Sequence, residues 1–377
     1  MKFRAERDSF VEVLSSAARA VGGRGLSAAV LSGLLLECQG NQLVVTGTDL
    51  DLTIRVEHEV IGVEDGRCVV PARLTADISR SLEPGAVTLE GDDEKIEISA
   101  ARSQFSLRAY QVVEYPVISM ADDVSFVLPG KLIAEGLRQV VRAASSDDAR
   151  PLLTGVLFTH HQGAIRMVAT DSYRLALRDM PEVKGLGDDQ DVLVPARALA
   201  ELQRLASTGS TGASGNEQPG GHDIGVVPGQ NDITFIRGPV KISSRLLDGQ
   251  YPDYRQLIPD HYPNRLHLGK ESFLAALRRV RLLVRDNTTP VRLSMRSGGV
   301  DMTVVSQEVG DASETVDGDF TGEDLEIAFN PAYLIDGVDA VVGDEVIIET
   351  ADASKPATVR SAEEDDFRYL LMPVRVS

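Results

Sequence analysis

The sequence contains no tryptophan, and aromatic residues make up only 5% of it. This scarcity disfavours a protein that binds single-stranded nucleic acid by stacking bases on aromatic rings. Cys38 and Cys68 are the only cysteines and form no CxxC motif, so we expect two buried or inert thiols in a reducing cytoplasm. The longest nearly apolar run, residues 28–36, is far shorter than the ~20 residues of a membrane helix, and no membrane partner is expected.

Positively charged residues are also outnumbered by negatively charged ones: the sequence has 38 lysines and arginines and 57 aspartates and glutamates, for a net charge of −19. This balance argues against a basic patch over the whole protein. A local basic surface stays possible, since net charge says nothing about distribution. Charged residues are frequent near the start of the chain, from Lys2 to Asp8, and this pattern is not that of the apolar region of a signal peptide. We therefore expect a soluble, cytoplasmic protein.

Motifs of catalysis are missing as well. The sequence has no GxxxxGK[ST] phosphate loop, no HExxH and no GxSxG, so neither an enzyme nor a cofactor or metal site is expected. Two Thr-Asp steps, at Asp49 and Asp171, could be interpreted as a pair of catalytic carboxylates. They occupy matching positions of a repeat, which favours the interpretation that each aspartate caps a turn.

Three segments of the chain share one order of motifs, which indicates an internal repeat. The stretch at 44–56 recurs at 167–179, and the strand, proline and helix pattern at 69–82 recurs at 193–206 and 328–341. Each segment closes on alternating strands that end at a proline, in YPVI, YPDY and MPVR. The chain is therefore predicted to contain three similar units.

The spacing of the motifs sets the boundaries of these units. Thr48 and Thr170 lie 122 residues apart, whereas Thr170 and Ser306 lie 136 apart. The longer offsets span the Gly- and Ser-rich residues 207–230, which we interpret as a surface-loop insertion of about a dozen residues. The predicted domains are residues 1–122, 123–260 and 261–377.

Each repeat has the same predicted order of elements: a short strand, a leading helix, strands, a second helix after the proline, and more strands. In the first repeat, Ser9 and Glu12 are predicted to form the capping box of the leading helix. Strands show alternation of period two, as at Ile96 and Ile98. Short antiparallel strands with two helices per repeat predict an α+β fold of three similar domains.

Arginine recurs on the predicted outer faces of several helices. On the helix near 130–144, basic residues lie opposite the apolar face of Ile133 and Leu137. Solvated charged faces would explain this pattern, and so would a surface for a phosphate backbone. Arginine without stacking aromatics suits backbone contact rather than base readout. The candidate DNA-binding residues are Arg24, Arg73, Arg80, Arg138, Arg142, Arg197, Arg204 and Arg278.

Several motifs together resemble one known family over the whole chain and in order. They are MKFRAERD, GTDLDL, VPAR, RPLLTGVLF, ATDSYRLAL, DGQYPDYRQLIP and the terminal YLLMPVRVS. They resemble the bacterial DNA polymerase III beta subunit family, the sliding clamps. The resemblance implies a head-to-tail homodimer whose six domains close a ring around double-stranded DNA, with helices lining the hole. It also implies a processivity factor without catalytic activity, opened by a separate clamp-loader ATPase complex.

The resemblance further implies a hydrophobic pocket that takes a short peptide from the DNA polymerase III catalytic subunit and from other proteins with a clamp-binding motif. In this pocket Arg174 could hold a carbonyl or carboxylate of the peptide. For each residue assigned to this pocket, ordinary packing in the protein core is the alternative interpretation. Ser172-Tyr173 stands where some members have Gly-His, and the chain ends RVS rather than RL. The pocket residues are Leu153, Thr170, Ser172, Tyr173, Arg174, Leu175, Pro252, Leu257, Asn330, Tyr333, Pro356, Leu370, Leu371, Met372, Pro373, Val374 and Arg375.

Phe105 and Leu107 lie on one face of a predicted strand, and Leu282 and Leu283 lie near the end of the third repeat's leading helix. By resemblance, these two sites meet across the head-to-tail dimer contact. One alternative function stays open at this point. A scaffold built from repeats for protein interaction, without DNA encirclement, would share the same threefold pattern.

Overall fold

The computed structural model divides into two compact bodies. The N-terminal body contains residues 1–131 and 204–246, and the C-terminal body contains residues 132–203 and 247–377. Arg24 and most of the predicted 207–230 insertion lie outside the described residues. The structure describes residues 1–22, 29–181, 183, 185, 191–207, 223–259, 261–285 and 289–375.

The described residues contain six α-helices, two in each sequence repeat. They are α1 (Arg7–Ala17), α2 (Ala72–Ser81), α3 (Gly130–Val140), α4 (Ala196–Ser207), α5 (Lys270–Val280) and α6 (Pro331–Ala340). None of these helices is long and apolar enough to cross a membrane.

Strands make up most of the remaining described structure. In chain order they are β1 (Lys2–Glu6), β2 (Gly33–Gln39), β3 (Gln42–Thr48), β4 (Leu52–Glu59), β5 (Ile61–Glu64), β6 (Gly66–Pro71), β7 (Ala86–Gly91), β8 (Lys95–Ala100), β9 (Ser103–Arg108), β10 (Phe126–Leu128), β11 (Gly155–His161), β12 (Ala164–Thr170), β13 (Arg174–Met180), β14 (Val192–Pro195), β15 (Ile224–Pro228), β16 (Asp232–Arg237), β17 (Val240–Arg245), β18 (Asn264–Gly269), β19 (Val291–Arg296), β20 (Gly299–Ser306), β21 (Gly310–Thr321), β22 (Leu325–Phe329), β23 (Glu345–Thr350), β24 (Ala357–Ser361) and β25 (Phe367–Leu371).

The N-terminal body contains two antiparallel sheets. The smaller has the order β5-β1-β7-β8-β9, and the larger has the order β10-β15-β16-β17-β4-β3-β2-β6. In the larger sheet, β4 of the first repeat pairs with β17 of the second, with Ile54 opposite Ile242. The sheet therefore continues across a repeat boundary, which the repeat pattern alone did not predict.

The C-terminal body contains one sheet of twelve strands, in the order β14-β11-β12-β13-β25-β24-β23-β18-β21-β20-β19-β22. Here β13 of the second repeat pairs with β25 of the third, with Leu175 opposite Leu370. The two continuous sheets arise from equivalent strand pairs. The predicted α+β class, with antiparallel sheets and two helices per repeat, is confirmed.

The start of α1 differs from the prediction. Glu6 is the N-cap, and its carboxylate accepts a hydrogen bond from the Ser9 N–H at 3.0 Å. The predicted Ser9–Glu12 capping box is wrong, because β1 runs directly into the helix and places the cap three residues earlier. The apolar side chains Phe10 and Leu14 of α1 are fully buried.

Both cysteines are buried, as expected from the sequence. Burial raises the pKa of the Cys68 thiol to about 12, because a thiolate is poorly solvated there. Burial also raises the pKa of Cys38. Neither environment favours a reactive thiolate.

Candidate partner-binding site and cationic helix faces

A tight loop, residues 170–174, connects β12 to β13 and is called the pocket loop below. The Asp171 carboxylate accepts hydrogen bonds from the backbone N–H groups of Tyr173 at 2.9 Å and Arg174 at 3.0 Å. The Thr170 hydroxyl donates to the Arg174 carbonyl at 2.6 Å. Ser172 has a φ of 80°, the left-handed conformation. The predicted role of Asp171 as a turn cap is confirmed.

The first repeat builds the same loop. Asp49 accepts hydrogen bonds from the N–H groups of Asp51 at 3.1 Å and Leu52 at 2.8 Å. Asp49 and Asp171 are thus equivalent caps in separate bodies, and the interpretation as a catalytic carboxylate pair is not supported.

Next to the pocket loop lies an apolar cluster that we call the partner pocket. Its floor consists of buried side chains from five neighbouring strands and one following 3₁₀ turn, and half-buried side chains pack against it. The floor residues are Leu157, Val168, Leu175, Leu177, Leu193, Tyr254 and Leu370, and the rim residues are Leu152, Leu247, Tyr251 and Ile258.

The structure brings part of the predicted pocket into this cluster. Leu175 and Leu370 belong to the floor as a cross-strand pair. Two large, exposed side chains lie close to these leucines in the sequence: Tyr173 is 59% exposed and Met372 is 39% exposed. The Met372 N–H donates to the Tyr173 carbonyl at 2.9 Å, so the tail that follows β25 lies along the pocket loop.

The other predicted pocket residues have mixed environments. The Asn330 side chain caps α6 by accepting from the Ala332 N–H at 2.9 Å, so its amide is engaged in the helix start. The Val374 N–H donates to the Ala328 carbonyl at 2.8 Å. Leu371 and Leu153 are buried; Tyr333, Pro356 and Pro373 are half-buried; Pro252, Leu257, Val374 and Arg375 are exposed.

The sequence did not point to several residues of this apolar cluster. It chose Leu153, whereas the neighbouring Leu152 packs against the floor. It chose Leu175 but not Leu177, although the period of two along a strand places both side chains on one face. It chose Pro252 but not Tyr251, whose phenol pKa is raised by burial. Alternation within β13 could have found Leu177.

Arg174 is the most densely bonded side chain of the site. Its Nε donates to Asp171 at 2.9 Å, and its Nη1 donates to Asp336 at 2.5 Å and to the Tyr369 hydroxyl at 3.4 Å. Its Nη2 donates to the Arg142 carbonyl. Burial lowers the pKa of Arg174, but the Tyr369 phenol and the two carboxylates outweigh burial and raise that pKa above its ordinary value.

These bonds change the interpretation of Arg174. The guanidinium has five N–H groups, and four of them are used within the chain. The guanidinium also stacks on the Tyr333 ring, 4.3 Å from the ring centroid. Only 10% of the side chain is exposed. The predicted use of Arg174 to hold a peptide carboxylate is therefore not supported, and its geometry suits a residue that fixes the pocket loop.

The cationic candidates fall into two groups. Arg73 on α2, and Arg197 and Arg204 on α4, are exposed. Arg80 forms an exposed pair with Asp77 at 2.9 Å, which contributes little to stability. The exposed Arg278 lies 3.4 Å from Asp339.

Arg138 and Arg142 form the second group, because they contact the C-terminal end of α6. Arg138 donates to the carbonyls of Asp339 at 3.1 Å and Ala340 at 3.2 Å. Arg142 donates to the Asp336 carbonyl at 3.3 Å and to the Asp339 carboxylate at 3.1 Å. Cations at a helix C-terminus satisfy its last carbonyls and its dipole. These two arginines have a structural role that the sequence pattern did not predict.

The residues predicted to form the dimer contact are all at least partly exposed to solvent. β9 is an edge strand of its sheet, and Phe105 on it is 36% exposed while Leu107 is half-buried. Leu282, in a 3₁₀ turn after α5, is 81% exposed, and Leu283 is half-buried. Exposed apolar side chains on an edge strand are typical of strands that pair with another chain.

Comparison with known proteins places these features in a family. Family models for the DNA polymerase III beta subunit match the chain three times: the N-terminal domain at residues 1–119, the central domain at 127–253 and the C-terminal domain at 255–375. The chain belongs to this family. The resemblance that the motifs indicated is confirmed, and the beta subunit domains follow one another in the order of the three repeats.

Individual relatives agree with the family models. The beta sliding clamp of Streptomyces coelicolor is 32% identical, with all of both chains covered. A crystal structure of a sliding clamp from Bartonella birtlesii bound to griselimycin is 30% identical, covers all of both chains and superposes with a TM-score of 0.91. The sliding clamp from Bacillus subtilis is 27% identical, with full coverage of both chains and a TM-score of 0.88.

Proposed function

We propose that this protein is a sliding clamp that encircles duplex DNA without sequence specificity and gives processivity to a replicative polymerase. The observation that carries the proposal is the match of all three beta subunit domains along the whole chain. The exposed arginines of α2 and α4 support it, because a chain of net charge −19 displays cations on matching helices. Contacts with the phosphate backbone alone permit sliding. The scaffold alternative is not favoured by the family match.

The partner pocket is proposed to bind a short extended peptide of the DNA polymerase III catalytic subunit and of other factors. Its floor of buried leucines with a rim of half-buried side chains suits apolar anchors of such a peptide. The nearby Met372 adds an adaptable contact. A short peptide buries little surface, so we expect micromolar affinity, roughly −8 kcal/mol.

The working form is proposed to be a homodimer. The exposed Phe105 edge strand of one copy would pack against Leu282 and Leu283 of another, which would remove apolar side chains from water at roughly 1.5–3 kcal/mol each. A clamp-loader ATPase complex would open the ring, and the cytoplasm, where replicating DNA lies, is the proposed compartment.

A topological experiment tests encirclement. The protein is placed on nicked circular DNA by a clamp loader and separated from free protein by gel filtration. We expect it to remain on the circle and to be lost when one restriction cut makes the DNA linear, because a ring slides off a free end. Blocking both ends of the linear DNA with bound protein should restore retention.

The matched control is Leu282→Asp, which should sediment as a monomer and fail to be retained on any of these DNAs. Equal dissociation of the unaltered protein from circular and linear DNA would contradict encirclement. Retention of the Leu282→Asp protein on the circle would contradict the proposed dimer contact.

A further inference from the structure

Two carboxylates hold the Arg174 guanidinium at different nitrogens, Asp171 at Nε and Asp336 at Nη1. Asp171 belongs to the pocket loop itself, and Asp336 belongs to α6, outside the apolar floor and rim. Asp171 also holds the backbone N–H groups of Tyr173 and Arg174 through its other oxygen. Asp336 is therefore linked to the backbone of the pocket loop through two successive side chains, Arg174 and then Asp171.

We propose that Asp336 is a positioning residue of the partner pocket and acts on peptide affinity through Arg174. This inference rests on the proposed peptide-binding function of the pocket. Asp336 holds Nη1 at 2.5 Å, and Arg174 in turn holds Asp171 at 2.9 Å in the orientation that shapes the loop. Leu175, the first floor residue of β13, follows Arg174 directly in the chain.

The surroundings of Arg174 make its orientation sensitive to Asp336. The Tyr369 hydroxyl contacts the same Nη1 at 3.4 Å, a weaker bond. Loss of the Asp336 charge leaves the largely buried cation with Asp171 as its remaining bonded carboxylate among the described residues, and we expect the guanidinium to reorient toward water because burying a cation with less compensating charge is unfavourable. The stacking on Tyr333, itself a predicted pocket residue, would be lost with the same movement.

Asp339 provides a matched control on the same helix. Its side chain is 39% exposed and that of Asp336 is 38% exposed. Both carboxylates contact Arg142, Asp339 at 3.1 Å and Asp336 at 3.8 Å. Asp336 bonds to Arg174, and no such bond joins Asp339 to Arg174 within the described residues. A general effect on α6 or on Arg142 would appear at least as strongly in the Asp339 variant, because Asp339 is the closer partner of Arg142.

The experiment measures binding of a fluorescein-labelled peptide, Gln-Ala-Ser-Leu-Ala-Phe, by anisotropy to the full-length protein. Asp336→Asn should weaken binding by roughly tenfold, within the range for coupling between contacting residues. Asp339→Asn should stay within about twofold of the unaltered protein, the ordinary range for residues that do not couple. Equal losses in the two variants, or none in Asp336→Asn, would overturn the proposal.

A second variant covers the case in which Asp336→Asn folds poorly. Arg174→Lys keeps the charge but cannot form directed bonds to both carboxylates, so it should show the same loss, and the double variant should bind no worse than either single one. Additive losses would mean that the two residues act separately, which overturns the proposal. Failure of the unaltered protein to bind the peptide would instead contradict the proposed function.

Discussion

The loops at residues 48–53 and 170–175 are two copies of one structure placed in different bodies. In both, a threonine hydroxyl donates to a carbonyl four residues later, at 3.2 Å for Thr48 and 2.6 Å for Thr170. The third residue has the same left-handed φ of 80°, although it is Leu50 in one copy and Ser172 in the other. Backbone geometry is thus independent of this side chain, because the threonine and aspartate bonds determine the turn.

The strands that leave the two loops differ in chemistry while keeping their register. In the C-terminal body, Leu175 lies opposite Leu370. In the N-terminal body, Thr53 lies opposite Ser243, and the Thr53 and Thr48 hydroxyls are 2.8 Å apart. At this cross-strand pair the same scaffold therefore presents two leucines in one copy and two hydroxyls in the other. This difference predicts one peptide site per chain.

Exchanging the chemistry of the two copies should have the largest effect. Leu175→Thr with Leu370→Ser gives the pocket the hydroxyls of the first repeat, and we expect peptide affinity to fall by about 100-fold, because polar groups replace the apolar floor that suits apolar anchors of the peptide. Anisotropy titration measures the loss. The matched variant Thr53→Val alters the other copy and should bind the peptide normally; a comparable loss there would mean that both copies contribute to binding.

The two aspartate caps should differ in their contribution to stability. Asp49→Ala removes a turn cap, so we expect a loss of about 1 kcal/mol in the free energy of unfolding. Asp171→Ala also removes a partner from the largely buried Arg174, so we expect a loss of about 3 kcal/mol in the free energy of unfolding. Urea denaturation of the two variants compares the losses. Equal losses would show that the Arg174 bond adds nothing to the second cap.

The smallest expected effects concern the cationic helices. Arg73→Ala on α2 should lower the salt slope of DNA binding by about 0.9, the value for one lost phosphate contact, and leave the melting temperature unchanged. Arg138→Ala should lower the melting temperature instead, because it removes the cap of α6. Salt titrations of DNA binding and thermal melts separate the two roles. A larger change of slope for Arg138→Ala than for Arg73→Ala would reverse this assignment.

The local features of the fold were predictable because nearby residues determine them. The Thr-Asp turns, the buried face of α1 at Phe10 and Leu14, and the two helices per repeat all follow from patterns within a few residues. The cap of α1 was misplaced by three residues, since nothing in the sequence marks where β1 ends. The domain limits at 122 and 260 stay predictions.

The parts that were not predictable depend on residues far apart in the chain. Arg138 resembles any arginine on a charged helix face, and only the position of α6 gives it a capping role. Arg174 likewise resembles a residue available to a ligand until Asp336 and Tyr369 are placed around it. The pairing of β13 with β25 has no local signal, because it joins strands of different repeats.

That pairing has a consequence for the synthesis of the protein. Arg174 and its partner Tyr369 are 195 residues apart, so during translation at roughly 5–20 residues per second the edge of β13 waits about 10–40 s for β25. Over this interval the apolar residues of β13 face water beside unpaired backbone groups, as aggregation-prone strands do. The nascent chain therefore carries an unpaired apolar edge at β13 until the third repeat has been made.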